Sequence, residues 1–153
     1  MLNKIENKTG YFRIHEFYIQ SLTCDSYVMH KFERNILQDA KETAEKSNMR
    51  VQHGCVIVDA KGNIISRAYN KYQDLHKINY PWTKGQQLSC HAEENALKQV
   101  DRKKLDGAKL YVVRISYCGE FMNSKPCERC TVIIQKFMNK YGLKNVYYSQ
   151  PKT

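Results

Sequence analysis

The sequence predicts a layered α/β domain built around a mixed sheet, and three observations support this fold class. Short apolar runs rich in β-branched residues alternate with segments in which apolar residues recur at helical spacing. After a first helix these segments follow the order strand, strand, helix, strand, helix, strand, which is typical of layered α/β domains. The chain of 153 residues is also long enough for one domain with a hydrophobic core.

The first half of the chain predicts an arm, a helix and a β-hairpin. Residues 1–28 are rich in aromatic side chains and predict a short helix or an extended arm in front of a single domain over residues 29–153. Apolar residues at helical spacing predict an amphipathic helix over residues 29–47. Two β-branched runs, at 53–59 and 64–69, flank a turn containing glycine and predict a β-hairpin.

A polar segment without periodicity covers residues 70–89 and predicts a long loop, a feature that is often functional in compact domains. The remaining elements are, in order, a helix over 91–100, a buried strand over 110–115, a turn or minor hairpin over 117–123, a helix over 127–140 and a short strand over 146–148.

Composition restricts the classes of protein to which the chain can belong. Apolar residues make up 42% and charged residues 26% of the chain, as in ordinary globular proteins. No apolar run approaches the roughly 18 residues that cross a bilayer, and the first residues lack the apolar core of a secretory signal. We therefore expect a cytoplasmic protein without a membrane partner, whose closely spaced cysteines bind metal instead of forming disulfides.

The net charge of +10, from 25 basic and 15 acidic side chains, indicates a polyanionic partner. Nucleic acid and a substrate that carries phosphate both fit this charge. Because the lysines are scattered along the chain, a solvated basic surface is an equally good interpretation.

Two short motifs at the starts of predicted helices carry the chemistry. The first is His91-Ala92-Glu93, and the second is the PCERC segment at residues 126–130. An imidazole and two thiolates suit zinc, so His91, Cys127 and Cys130 are candidate ligands. Three protein ligands leave the fourth tetrahedral position open for water, as in catalytic zinc sites.

Glu93 is the candidate catalytic residue. It lies two residues after the histidine, so on a helix its side chain points at a different angle from that of the ligand. We therefore expect Glu93 to act as a proton shuttle for the water on the metal and not as a ligand.

The H-x-E and P-C-x-x-C motifs are the signature of zinc deaminases that act on nucleobases. Together with the hairpin HGCVIVDAKGNIISRAYN, they make the sequence resemble the cytidine/deoxycytidylate deaminase superfamily over most of residues 29–149. The resemblance implies a three-layer fold with four to five strands and helices on both faces. It also implies one catalytic Zn²⁺ held by His91, Cys127 and Cys130, with Glu93 as general acid and base.

The resemblance and the loop suggest substrate contacts. By resemblance, Asn70 contacts the sugar or base, and the backbone around Ala92 and Cys127 positions the base and the attacking water. Tyr69 either stacks on the substrate or anchors the loop, and His76 in the loop is a candidate substrate contact. Arg114 on the third strand either reaches a phosphate or forms a surface ion pair.

Three functions are compatible with these residues. The favoured one is deamination of a cytosine nucleotide or nucleoside, with deoxycytidylate preferred, to the uracil form. The alternative is deamination of cytosine or adenine within RNA or single-stranded DNA, which the basic charge supports. A zinc-stabilised binding module without catalysis is the third, although the presence of Glu93 argues against it. The resemblance also implies a homo-oligomer.

Some features depart from the family pattern. The link at residues 116–125 is longer than usual, and the chain ends soon after its fourth predicted strand. Either the sheet is smaller here, or the N-terminal arm fills the missing place. Cys24, Cys55, His76 and Cys90 could imitate the second, structural zinc of some deoxycytidylate deaminases, although a strand cysteine such as Cys55 is more simply a small core residue.

Overall fold

The computed structural model describes residues 14–18, 31–73 and 88–151. Within these ranges the helices are α1 (Lys31–Glu45), α2 (Ala92–Gln99) and α3 (Glu128–Tyr141), with a short 3-10 helix at Arg102–Lys104. The strands are β1 (Ile14–Tyr18), β2 (Gln52–Val58), β3 (Ile64–Tyr69), β4 (Lys71–Tyr72), β5 (Ser89–Cys90), β6 (Lys109–Ile115), β7 (Phe121–Met122) and β8 (Asn145–Gln150).

The main sheet is mixed and follows the order β1-β8-β6-β2-β3, with β7 paired to β6. Strand β2 is antiparallel to both β3 and β6, whereas β8 is parallel to β6 and to β1. The predicted mixed sheet of four to five strands is confirmed by the five strands along this path.

Helices cover both faces of the sheet, as predicted. Because successive side chains of a strand point to opposite faces, alternate residues of β2 and β6 enter two separate cores. One core lies under α2 and α3 and includes Cys55, Ile57, Leu110, Val112, Ala96 and Ile134. The other lies under α1 and includes Val56, Val58, Tyr111, Val113, Ala40 and Ala44.

The N-terminal segment contributes a strand to the sheet edge. The backbone of Ile14–Tyr18 pairs in parallel with β8, from Ile14 opposite Val146 to Tyr18 opposite Gln150. This strand takes the place of the fifth strand, so the sheet is not smaller than the family pattern. The boundary of the domain at residue 28 stays a prediction.

The prediction of a loop over residues 70–89 was incomplete at its two ends. Strands β4 and β5 pair antiparallel there, with Lys71 opposite Cys90 and Tyr72 opposite Ser89. Strands of two residues are too short to produce a periodic pattern, which is why the sequence did not reveal them. The minor hairpin expected over 117–123 is present as the pairing of β7 with β6. Among the residues described, no helix has the length and apolarity needed to cross a membrane.

Gly54 allows α1 to lie unusually close to β2. A Cβ atom at this position would collide with the carbonyl oxygen of Ala40, and it would lie 2.6 Å from the nitrogen and 3.0 Å from the Cβ of Ala44. Ala40 and Ala44 are themselves fully buried. The small side chains on the helix and the absent one on the strand therefore set the spacing between these layers.

We expect Gly54→Ala to lower the free energy of unfolding by about 3 kcal/mol, at the upper end of overpacking costs, because the added methyl group meets backbone atoms that cannot rotate away. Urea denaturation measures this change. Asn48→Ala, at an exposed position after the same helix, is the control and should change stability by less than about 0.5 kcal/mol. An unchanged midpoint for Gly54→Ala would contradict the proposed packing constraint.

Candidate metal centre

The starts of α2 and α3 present the predicted zinc ligands. His91 and Cys127 each occupy the position before the first helical residue, with extended backbone angles and no capping hydrogen bond from the side chain. The first helical hydrogen bonds run from Asn95 N–H to the His91 carbonyl and from Thr131 N–H to the Cys127 carbonyl. Both side chains are therefore available for a ligand, and Cys130 lies on the first turn of α3.

The three candidate ligands converge on one point. His91 Nδ1 lies 3.5 Å from Cys127 Sγ and 3.3 Å from Cys130 Sγ. All three donor atoms lie within 4.8 Å of one another, which makes this a possible metal site within the described part of the chain. For zinc bonds of about 2.1 Å to nitrogen and 2.3 Å to sulfur, tetrahedral geometry places the two atoms about 3.6 Å apart. The donor set and its spacing therefore fit zinc.

The three residues of this cluster differ in burial, so the cluster is exposed to solvent on one side. Cys130 is buried, His91 is half-buried and Cys127 is exposed. Burial raises the pKa of the Cys130 thiol, and the nearby charges of Glu93 and Cys127 act in the same direction. Because a coordinating thiol is deprotonated by the charge of the metal, a divalent cation would offset this effect.

Glu93 lies in the first turn of α2 and is only 5% exposed. Burial raises the pKa of its carboxyl group to about 6, although hydrogen bonds from its own backbone N–H and from the Cys130 thiol act to lower it. A carboxyl group that titrates near neutrality can both accept and donate a proton. The structure therefore places a candidate proton shuttle beside a candidate ligand.

A second acidic residue joins the two helices that carry the ligands. Glu94 is buried, and its carboxylate oxygens accept from Arg129 of α3 and Lys98 of α2, each at 2.8 Å. Arg129 lies between the two candidate cysteine ligands in the sequence. The Glu94–Arg129 ion pair therefore links the helix that bears His91 to the helix that bears both cysteines.

Two buried serines anchor the long link that leads into Cys127. Ser124 Oγ donates to the Val112 carbonyl at 2.8 Å and accepts from the Ser149 N–H at 2.7 Å. Ser149 Oγ in turn donates to the Met122 carbonyl at 2.7 Å. These bonds tie the link to β6 and β8, and they fix where α3 begins.

The Asn70 side chain is bonded to the start of β2. Its Oδ1 accepts from the His53 N–H at 2.8 Å, and its Nδ2 donates to the Val51 carbonyl at 2.6 Å. A side-chain amide has two donor hydrogens and two acceptor lone pairs, so one of each is not used by these bonds. The predicted contact of Asn70 with the substrate stays a prediction.

The other predicted substrate contacts have different positions. Ala92 is fully buried at the start of α2, and Tyr69 is half-buried at the end of β3, where its carbonyl accepts from Asn95 Nδ2 at 3.1 Å. His76 lies outside the described residues. These positions leave the roles of Tyr69, Ala92 and His76 as predictions.

Sequence reasoning did not single out His53, which lies at this end of the sheet. Burial lowers its pKa to about 4, and the charge of Arg114 and the proximity of His91 act in the same direction. A signal was present in the sequence, because His53 shares a strand face with Cys55 and Ile57 and is the polar member of an otherwise apolar set.

The hypothesis of a second zinc depends on residues that the structure describes only in part. Cys24 and His76 lie outside the described residues. Cys55 is fully buried in the core under α2 and α3, and burial raises the pKa of its thiol. Its position fits the simpler interpretation of a small core residue.

A family match agrees with this geometry. Residues 28–150 match the family described as the cytidine and deoxycytidylate deaminase zinc-binding region. The chain is similar to a dCMP deaminase from the cyanophage S-TIM5, solved in complex with dCMP and dUMP, with 21% identity and a TM-score of 0.53 over 81% of this chain and 85% of that one. It is also similar to a cytidine deaminase from Burkholderia pseudomallei, with 18% identity and a TM-score of 0.46 over 72% and 76% of the two chains. No curated protein matches the sequence.

Breaking the link between the helices should loosen the metal centre. We expect Arg129→Gln to weaken zinc binding about 10-fold, because residues that orient metal ligands typically affect affinity on this scale. Competition with a chromogenic chelator measures the affinity.

Lys98→Gln is the matched control for this variant. It removes the same charge and another partner of Glu94, but it breaks a pair within α2 and leaves the two helices joined. Equal zinc affinities for the two variants would show that the Glu94–Arg129 pair does not position the ligands.

Proposed function

This chain belongs to the cytidine and deoxycytidylate deaminase family, and on that premise we propose that it hydrolyses the exocyclic amine of a cytosine nucleotide or nucleoside, with deoxycytidylate as the preferred substrate. The family makes it a zinc-dependent nucleobase deaminase. The observation that carries the proposal is the convergence of one imidazole nitrogen and two cysteine sulfurs beside the buried carboxyl group of Glu93.

The roles of the residues follow from their chemistry. His91, Cys127 and Cys130 would hold zinc, which when bound lowers the pKa of a water molecule in the fourth position to about 7. Glu93 takes one proton from the attacking water and delivers it to the ring nitrogen next to the reacting carbon. It then transfers the second proton of the water to the departing amine. A C–O bond forms, the C–N bond breaks, and ammonia leaves.

A phosphorylated substrate is supported by charge. The chain has a net charge of +10, which attracts phosphate. The cyanophage relative is a dCMP deaminase solved with dCMP, so this nucleotide is the first substrate to test. Asn70 keeps one donor and one acceptor with which to contact the sugar or base.

The second candidate function is deamination of a base within RNA or single-stranded DNA. The same positive charge favours it, because a polymer presents many phosphates to the basic surface. Binding to a polymer loses affinity steeply as the salt concentration rises, whereas a single nucleotide releases few counterions.

A substrate panel separates these functions. Purified protein is incubated with deoxycytidine, dCMP, cytidine, CMP and a single-stranded oligonucleotide containing one deoxycytidine, and the product is identified by mass spectrometry together with ammonia release. We expect the highest kcat/KM for dCMP. Turnover restricted to the oligonucleotide would overturn the preference for a free nucleotide.

Organisation and location extend the proposal. We assign the catalytic domain to residues 29–153 with residues 1–28 as its N-terminal arm, acting in the cytoplasm, where reducing conditions keep thiols available.

We also propose a homo-oligomer, since Val132 of α3 and Phe32 of α1 expose apolar surface at 62% and 42%. Sedimentation velocity tests the assembly, and a monomer at micromolar concentration would contradict it.

Glu93→Gln tests the proton shuttle. The amide keeps the shape of the side chain but cannot transfer protons, so we expect zinc content and thermal stability to stay near wild type while kcat falls by about 10⁴-fold. Steady-state kinetics and metal analysis measure both. Glu128→Gln, an exposed carboxylate at the start of α3, is the control and should turn over at the wild-type rate. Retained activity in Glu93→Gln would remove this mechanism.

A further inference from the structure

Arg114 and His53 lie side by side on the sheet. They are register partners in the antiparallel pairing of β6 with β2, so their Cβ atoms lie about 5 Å apart on the same face. That face is the one covered by α2 and α3, because Val112 and Cys55, two residues away on the two strands, belong to the core under these helices. Both side chains are half-buried at the end of that core.

This pair lies at the end of the sheet where the metal ligands are. Helix α2 runs alongside β3, with Asn95 Nδ2 3.1 Å from the Tyr69 carbonyl and the Ala96 carbonyl 3.0 Å from Ser66 Oγ. Tyr69 is opposite Gly54, the residue after His53. The first turn of α2 therefore begins beside the end of β2 that carries His53, and His91 is near enough to contribute to lowering the pKa of His53.

The Arg114 guanidinium lacks an anionic partner among the residues that the structure describes. Among the described arginines Arg114 alone is half-buried, since the others are exposed to solvent, two of them paired with carboxylates, Arg67 with Asp39 and Arg129 with Glu94. A half-buried guanidinium loses hydration that an anion would replace. Because its low pKa keeps His53 neutral near pH 7, Arg114 carries the positive charge of this pair alone.

We propose that Arg114 binds the phosphate group of the substrate and so determines the preference for a phosphorylated substrate. A guanidinium suits this task because its planar N–H groups can bond two phosphate oxygens at once. The inference rests on the proposed function, since it assigns a phosphate contact to the same active site. The phosphate is either the terminal group of a free nucleotide or a phosphodiester of a single strand, and the test distinguishes these sources.

The test compares substrates that differ only in phosphate. For Arg114→Gln we expect KM for dCMP to rise about 10- to 100-fold, the range of a lost charge-assisted hydrogen bond, with kcat little changed. KM for deoxycytidine should not change, and Arg114→Lys should recover part of the affinity for dCMP. Binding of the products dUMP and deoxyuridine, measured by calorimetry, gives the same contrast without turnover.

Two further arms make the outcome decisive. Arg34→Gln removes an equal charge from an exposed position on α1, across the sheet, and should leave KM for dCMP unchanged, which excludes a general effect of net charge. A rise in KM for the oligonucleotide but not for dCMP assigns the phosphate to a polymer.

Equal effects of Arg114→Gln on the phosphorylated and unphosphorylated ligands, or no effect on either, would overturn the phosphate contact while leaving the deaminase intact. If the wild-type protein deaminates none of the substrates in the panel, the proposed function fails and the phosphate contact fails with it.

Discussion

The chemistry of this protein depends on one constraint: the N-terminal ends of α2 and α3 lie close together at one end of the sheet, so that their metal ligands converge. Because His91 and Cys127 precede their helices in extended conformations without capping them, both side chains reach a common point, and Cys130 joins them from the next turn. Bringing an imidazole and two thiols together under partial burial disfavours thiolate in the absence of a cation, as the raised pKa of Cys130 indicates. Metal binding and the packing of the helices are therefore coupled.

The rest of the fold keeps this meeting point in place. Gly54 lets α1 pack tightly against the back of β2, so the sheet under the site has a fixed support. The buried Ser124 and Ser149 hold the link that leads into Cys127, and the Glu94–Arg129 pair joins the helices in front. Each of these contacts acts over a short distance, and together they support the two helices that bear the ligands.

The sequence revealed the parts of this arrangement that are local. Helical spacing predicted α1 and α3, and residues that favour helices predicted α2. Two runs of β-branched residues predicted the hairpin. The H-x-E and P-C-x-x-C motifs predicted the ligands because each motif lies within one turn. The two-residue strands at Lys71–Tyr72 and Ser89–Cys90 were not predicted, since they are defined only by their pairing.

The contacts between distant segments could not be predicted. His53 faces Arg114 only because of the register of β2 against β6, and Glu94 meets Arg129 only because α2 and α3 are neighbours. Nothing in the sequence near Asn70 indicates that its side-chain amide forms hydrogen bonds with the backbone of Val51 and His53. The buried serine of the link at residues 116–125 bonds to the same sheet, another contact between distant segments.

X-ray absorption at the zinc edge of the purified protein tests the central claim most directly, because it reports the atoms around the metal. The account predicts one zinc per chain with two sulfur ligands at about 2.3 Å and light-atom ligands at about 2.0–2.1 Å, one of them an imidazole nitrogen. Loss of the sulfur signal by one ligand in Cys130→Ser would identify the site. A spectrum with four sulfur ligands, or with none, would contradict a centre formed by His91, Cys127 and Cys130.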